Sequence, residues 1–137
     1  MERRTLLTKL GLTALAGMYY TSGSKASEMA GENCALRKGE IQHMVIFNLK
    51  HEKGSPDALK FIQDGTRILT AIPVVRNFQA FGQVSSKNKY NYGFSMVFGS
   101  REDYTAYNIH KSHVAFVQDR WMKEVSDFLE IDFENPS

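Results

Sequence analysis

The clearest pattern in the chain is a nine-residue alternation from Ile41 to Leu49. The odd-numbered positions form one face, which is apolar except for His43, whereas the even-numbered face carries Met44 and Ile46. A period of two residues is typical of a β-strand. Because both faces carry apolar side chains, we expect both faces of this strand to be covered by other parts of the protein.

A helix is predicted after this strand. Ser55 and Pro56 have the residue types of an N-cap and a first helical turn, and Pro73 cannot continue a helix. Gly65 lies inside the predicted helix and lowers its intrinsic propensity. Apolar residues recur at helical spacing between these limits, at Ala58, Leu59, Ile62, Leu69 and Ile72.

Two further strands are predicted at residues 74–84 and 90–98, joined by the polar segment 85–89. In the second of these strands, Tyr92 and Phe94 lie on one face with other large apolar side chains. The opposite face carries small residues, which would allow another layer to approach closely.

The C-terminal third of the chain predicts two helical segments and a last strand. Ser100 and Asp103 form a capping box, which indicates a short helix that ends near Asn108. A second helical segment is predicted at about residues 112–125, with Val114, Val117, Trp121 and Val125 on one stripe. Residues 128–133 alternate and predict the final strand.

The order of elements is therefore strand, helix, strand, strand, broken helix, strand. This order predicts an α+β fold of ferredoxin-like type, in which helices cover one face of a four-stranded antiparallel sheet. The other sheet face still carries apolar side chains, and pairing of two such faces would bury them. We therefore expect a homodimer that forms an α+β barrel.

Residues 1–26 have the features of an export signal. Arg3 and Arg4 precede a short, moderately apolar stretch, and small residues at 24 and 26 suit a signal peptidase. The paired arginines favour a twin-arginine signal, and an ordinary secretory signal is the alternative. The apolar stretch is too short for a permanent membrane anchor. We therefore expect a periplasmic or secreted protein in which a linker at 27–39 precedes a domain at 40–133.

Composition and charge narrow the classes of partner. The full chain has a net charge of +2, and removal of residues 1–26, with four basic side chains and one acidic, leaves −1. No basic stripe with interleaved aromatic residues remains, so a nucleic-acid partner is not expected. The single cysteine, Cys34, cannot form an intramolecular disulfide, so packing must stabilise the domain.

Residues 107–113, YNIHKSH, combine a tyrosine with two histidines spaced three apart. This spacing places Tyr107, His110 and His113 on one side of a helical backbone. An imidazole can remove a proton next to a carbonyl, and a tyrosine hydroxyl can stabilise the resulting oxyanion. The same residues allow a metal site that includes His43, or a structural role at helix ends with Tyr107 in the core.

Several segments together resemble the stress-responsive A/B-barrel family, Dabb, over about residues 40–133. They are IQHMVIFNL, AIPVVRNFQAFG, YNYGFSMVFGSREDYTAYNIHKSH and FLEIDF. The resemblance implies a dimeric α+β barrel. The family usually has proline where this chain has Lys111, so the backbone at the helix break need not be the same.

The resemblance also implies roles for single residues. The family's enzymatic precedent, plant olivetolic acid cyclase, performs an aldol-type cyclisation with a tyrosine and a histidine and needs no cofactor or metal. By that resemblance Tyr107 and His113 are the acid and base, while His43 and His110 line the same cavity. A non-catalytic role in ligand binding or stress protection, and a metal- or haem-dependent function, are the alternatives.

The many aromatic residues of the domain suit a pocket for a small, partly apolar ligand. Phe47, Tyr92 and Phe94 are the candidates for its wall. The competing interpretation is that aromatic side chains at strand spacing mostly belong to the core.

Overall fold

The computed structural model describes residues 35–137. The predicted export signal, most of the predicted linker and Cys34 lie outside this range. The elements are β1 (Ile41–Leu49), α1 (Pro56–Thr70), β2 (Arg76–Gly82), β3 (Tyr92–Phe98), α2 (Arg101–Ile109), α3 (Lys111–Phe116), a π-helical turn (Val117–Trp121), α4 (Met122–Glu124) and β4 (Val125–Glu134).

The four strands form one antiparallel sheet in the order β2-β3-β1-β4. This topology confirms the predicted α+β, ferredoxin-like fold. The predicted C-terminal boundary was wrong, because the helical segment ends at Glu124 and β4 already begins at Val125. Both central strands, β1 and β3, have neighbours on each side, whereas β2 and β4 are the edges of the sheet.

The predicted caps begin both main helices. The Ser55 hydroxyl accepts a hydrogen bond from the backbone N–H of Ala58 at 3.2 Å. The Ser100 hydroxyl accepts one from the N–H of Asp103 at 3.1 Å. Each bond satisfies one backbone donor that has no partner within its own helix, which explains why these helices start where the sequence indicated.

The apolar face of β1 packs under the helices. Along β1, buried residues alternate with partly exposed ones, and the buried set is the odd-numbered face that includes His43. Gly65 of α1 allows a close approach, because a Cβ at this position would lie 3.0 Å from the Phe94 ring and 3.1 Å from the Phe116 ring. The glycine that weakened the helix prediction therefore has a packing role.

The opposite face of the sheet carries a second apolar set. Ile46 pairs with Leu129 on one side and with Gly93 on the other, and Gly93 pairs with Phe81. This register places the side chains of Ile46, Leu129 and Phe81 on the face directed away from the helices. We call this the outer sheet face, and its large apolar members are Met44, Ile46, Phe81, Leu129, Ile131 and Phe133. Within residues 35–137, no helix is long and apolar enough to cross a membrane.

Candidate functional site

A cavity of about 410 Å³ lies between the helices and the inner face of the sheet. Its polar lining consists of His43, Tyr107, Asn108, His113 and Glu130. The rest of the wall is apolar and comprises Val45, Leu69, Phe94, Met96, Phe116, Val117, Trp121, Met122 and Phe128. The arrangement suits a small, largely apolar molecule that carries a polar group at one end.

Strand pairing places His43 next to an acid. In the antiparallel register His43 of β1 lies opposite Asp132 of β4, so both side chains point to the helix side. His43 is only 5% exposed, and its Nδ1 lies 2.6 Å from Asp132 Oδ1. Because a carboxylate can only accept a hydrogen bond, Nδ1 carries the proton in this pair.

Two further groups surround this histidine. The Tyr104 hydroxyl donates a hydrogen bond to Asp132 Oδ2 at 2.9 Å and lies 3.5 Å from His43 Nδ1. Glu130 Oε1 lies 3.7 Å from the same nitrogen. Burial, followed by the hydrogen bond with Asp132, raises the pKa of Tyr104, so this hydroxyl remains a proton donor.

The tyrosine of the YNIHKSH segment is buried beside both cavity histidines. The ring of Tyr107 lies 4.2 Å from the His113 ring and 5.9 Å from the His43 ring, measured between centroids. Burial raises the pKa of Tyr107, and the negative charge of Glu130 raises it further. Tyr107 therefore stays protonated and can donate a hydrogen bond to an oxygen in the cavity.

His113 is held by the helix break. Its Nδ1 lies 3.1 Å from the carbonyl oxygen of Asn108 and must donate to it. Burial is the largest of the causes that lower the pKa of His113. The imidazole is therefore neutral near pH 7, and its Nε2 carries a free lone pair.

The structure brings four of the predicted site residues to the cavity wall, namely His43, Phe94, Tyr107 and His113. The other three lie elsewhere. His110 caps α3, because its Nδ1 accepts from the N–H of Ser112 at 3.1 Å. Phe47 is fully buried among core aromatic rings, and the Tyr92 hydroxyl accepts from the N–H of Gly54 at 2.8 Å.

Tyr104, Glu130 and Asp132 were not predicted as site residues from the sequence. The signal was present in the final strand, where Phe128, Glu130 and Asp132 share one face by alternation. The alternation does not show which face of the strand points to the helices, because that depends on the pairing of β4 with β1.

The same cluster contains the atoms best placed to hold a metal ion among the described residues. One ligand atom each from His43, Glu130 and Asp132 lies within 4.8 Å of the other two. The set differs from the alternative metal site that the sequence left open, which combined His43 with His110 and His113, because His110 caps a helix. The hydrogen bond between His43 and Asp132 accounts for their short contact without a metal.

The family model of the stress responsive A/B barrel domain, Dabb, matches residues 41–135. The chain belongs to the Dabb family. A comparison with curated proteins gives no match.

Solved structures agree with this assignment. A Dabb family protein with a ferredoxin-like fold from Mesorhizobium loti is 48% identical, with a TM-score of 0.69 and coverage of 70% of this chain and 96% of that chain. A dimeric ferredoxin-like protein from Bacteroides fragilis is 20% identical, with a TM-score of 0.57 and coverage of 71% and 97%. The hydroxynitrile lyase of Passiflora edulis is 10% identical, with a TM-score of 0.62 and coverage of 71% and 94%. The last two likenesses concern the fold alone.

Proposed function

We propose that this Dabb protein binds a small, partly apolar carbonyl compound and catalyses cofactor-free acid/base chemistry next to the carbonyl group. The proposal includes enolisation and reactions that follow from it, such as aldol closure or lyase-type cleavage. The observation that carries it is the composition of the cavity, in which the imidazoles of His43 and His113 and the protonated Tyr107 meet inside an apolar wall.

The tyrosine and one of the imidazoles have tasks in such a reaction. Removal of a proton from the carbon next to a carbonyl leaves negative charge on the carbonyl oxygen. The Tyr107 hydroxyl is the donor for that oxyanion, because burial and Glu130 keep it protonated. An imidazole with a free Nε2 is the base. The Passiflora edulis hydroxynitrile lyase, which has a similar fold, is an enzyme, so this architecture is compatible with catalysis.

Binding and turnover can be separated with benzylacetone, an apolar ketone, as the probe. Hydrogen–deuterium exchange at its α-carbon in D₂O, followed by NMR, reports enolisation without any other reactant. We expect Tyr107→Phe to bind the probe as wild type does and to lose about 10²- to 10³-fold in exchange rate, the range typical of one oxyanion donor.

The control for this variant is His51→Asn, which removes a histidine that pairs with Glu124 outside the cavity. It should exchange the probe at the wild-type rate. If Tyr107→Phe exchanges the probe as fast as wild type, the proposed role of Tyr107 is wrong. Binding of the probe without any exchange by wild-type protein would favour a non-catalytic ligand-binding role.

We further propose that the protein acts as an exported homodimer. Export rests on the arginine pair and small residues of the predicted signal. Dimerisation rests on the outer sheet face and on relatives described as dimeric. Sequencing the N-terminus of the protein recovered from the producing cell tests the first point, since an N-terminus close to residue 27 is expected. The intact N-terminus would contradict cleavage.

A further inference from the structure

We infer that His43 is the general base of the site and that Asp132 is the residue that positions it. This assignment rests on the proposed function and replaces the base expected from the family resemblance, His113, by a histidine on the central strand. It also assigns a role to Asp132 of β4, which was not predicted as a site residue from the sequence.

The tautomer of His43 follows from its partner. Asp132 Oδ1, at 2.6 Å, accepts a hydrogen bond from the N–H of His43 Nδ1, which keeps the proton on Nδ1 and leaves Nε2 as the basic nitrogen. Among the described residues Nε2 has no hydrogen-bond partner, and it is not a fully buried atom, although the histidine as a whole is only 5% exposed. His43 lines the cavity, so the free nitrogen is available to a molecule bound there.

The two histidines differ in how well their surroundings stabilise a proton taken from a substrate. A protonated His43 has a carboxylate oxygen at 2.6 Å and another at 3.7 Å from its Nδ1. His113 has a neutral carbonyl group as its partner, and burial opposes its protonation. A carboxylate stabilises an adjacent imidazolium far better than a carbonyl does, so the proton from the substrate is better accommodated on His43.

The pair of His43 and Asp132 is held in a fixed orientation. Tyr104 donates to the second oxygen of Asp132, at 2.9 Å, so the carboxylate is held from both sides. Its ring also lies 5.4 Å from the His43 ring and 5.2 Å from the Phe98 ring, measured between centroids. A base whose orientation is fixed before the substrate binds loses less free energy in reaching the reactive geometry.

Removal of the proton needs only the groups that line the cavity and the bound carbonyl compound. The C–H bond next to the carbonyl breaks, the proton passes to His43 Nε2, and the electron pair forms the enolate with its charge on oxygen. Tyr107 donates a hydrogen bond to that oxygen. In D₂O the proton on Nε2 exchanges with solvent, and a deuteron is returned to carbon. In aldol closure the same carbon instead attacks a second carbonyl group, and the oxygen of that group takes the proton.

The test uses the benzylacetone exchange assay with His43→Gln, His113→Gln and Asp132→Asn. We expect His43→Gln to abolish exchange above the background, whereas His113→Gln retains most of it. Asp132→Asn should lower kcat by about 10²- to 10⁴-fold with little change in KM, since an asparagine amide can donate to Nδ1 and move the proton to Nε2. A ¹⁵N NMR spectrum of the His43 ring should show that change of tautomer.

Asp127→Asn is the matched control, because Asp127 lies on the same strand with a side chain 41% exposed, against 39% for Asp132. It should keep both the rate and the His43 tautomer. Exchange that persists in His43→Gln and disappears in His113→Gln overturns the assignment and leaves the proposed function intact. No exchange by wild-type protein overturns both, and an unchanged tautomer in Asp132→Asn overturns the positioning role.

Discussion

His110 and His113 are three residues apart but lie in different environments. His110 has φ −62° and ψ 133°, which ends α2, and its side chain caps α3. This backbone conformation is the one favoured before proline, yet the next residue here is Lys111. The helix break therefore does not need the proline expected from the family, because the His110 cap stabilises it.

The geometry of the YNIHKSH segment was only partly predictable. Helical spacing predicted that His110 and His113 share a side, but the spacing rule holds only within a continuous helix, and the break at His110 separates them. Tyr107 and His113 meet because the chain turns between them, at 4.2 Å between ring centroids. The sequence predicted the break between the two helical segments, but it could not give the direction of the chain across that break.

The environment of His113 leads to a pH prediction. Burial lowers its pKa below 6.5, with His43 and His110 acting in the same direction and Glu130 and the Asn108 carbonyl opposing. Just below pH 6.5 the unfolded chain therefore binds more protons at this residue than the folded chain does. The stability that depends on neutral His113 is fully present above pH 6.5 and is lost as the pH falls through the folded-state pKa.

Urea unfolding at about pH 7.5 and about pH 5 measures this effect. The free energy of unfolding of wild type should fall more between these values than that of His113→Gln, which has no titrating group at this position. Parallel profiles for the two proteins would show that His113 is not buried as described.

At the scale of elements, the final strand shows why pattern reading can miss a site. Leu129, Ile131 and Phe133 form an apolar face and Phe128, Glu130 and Asp132 a mixed one, so the usual expectation turns the apolar face to the helices. The register with β1 does the opposite and directs the acids to His43. The more apolar side of an edge strand therefore does not have to face the helices when the outer sheet face is apolar as well.

The helical segment before β4 was predicted as regular and contains a π-helical turn. The N–H of Met122 bonds to the carbonyl of Val117, five residues earlier. Val117 and Trp121, at the two ends of this turn, both line the cavity. The predicted stripe was right for these two residues, whereas Val125 belongs to β4.

Gly65 provides a test of packing between elements. Ala is favoured over Gly in a helix by about 1 kcal/mol. A Cβ here would meet two buried rings at 3.0 and 3.1 Å, and such overpacking costs about 1–3 kcal/mol. We therefore expect Gly65→Ala to lower the free energy of unfolding by about 1 kcal/mol, measured by urea unfolding.

Gly82→Ala is the matched control, since no atom lies within 4 Å of a Cβ at that position. It should leave stability unchanged or raise it slightly. A stabilising effect of Gly65→Ala would mean that the rings of Phe94 and Phe116 can move aside, and that α1 does not need this glycine.

At the scale of the whole molecule, the outer sheet face tests the proposed dimer. Leu129 lies on this face and is 47% exposed, while Leu59 lies on α1 and is 50% exposed. Leu129→Glu would place a charge in the sheet-to-sheet interface, and burial of an unpaired charge strongly opposes association. Leu59→Glu changes the same residue type at a similar exposure on the helical side.

Sedimentation velocity at micromolar concentration measures whether each protein is a monomer or a dimer. Wild type and Leu59→Glu should have the mass of a dimer, and Leu129→Glu should shift towards the monomer. A monomeric wild-type protein, or a dimer that is lost only in Leu59→Glu, would place the interface elsewhere or remove it.

The most direct test of acid/base chemistry in the cavity is the rate of benzylacetone α-proton exchange by the wild-type protein. Free imidazole at the same concentration and pH is the reference, because it has the same basic group without the cavity. We predict saturable exchange at least about 10²-fold faster than with this reference. Exchange that does not saturate and is no faster than with free imidazole would contradict it.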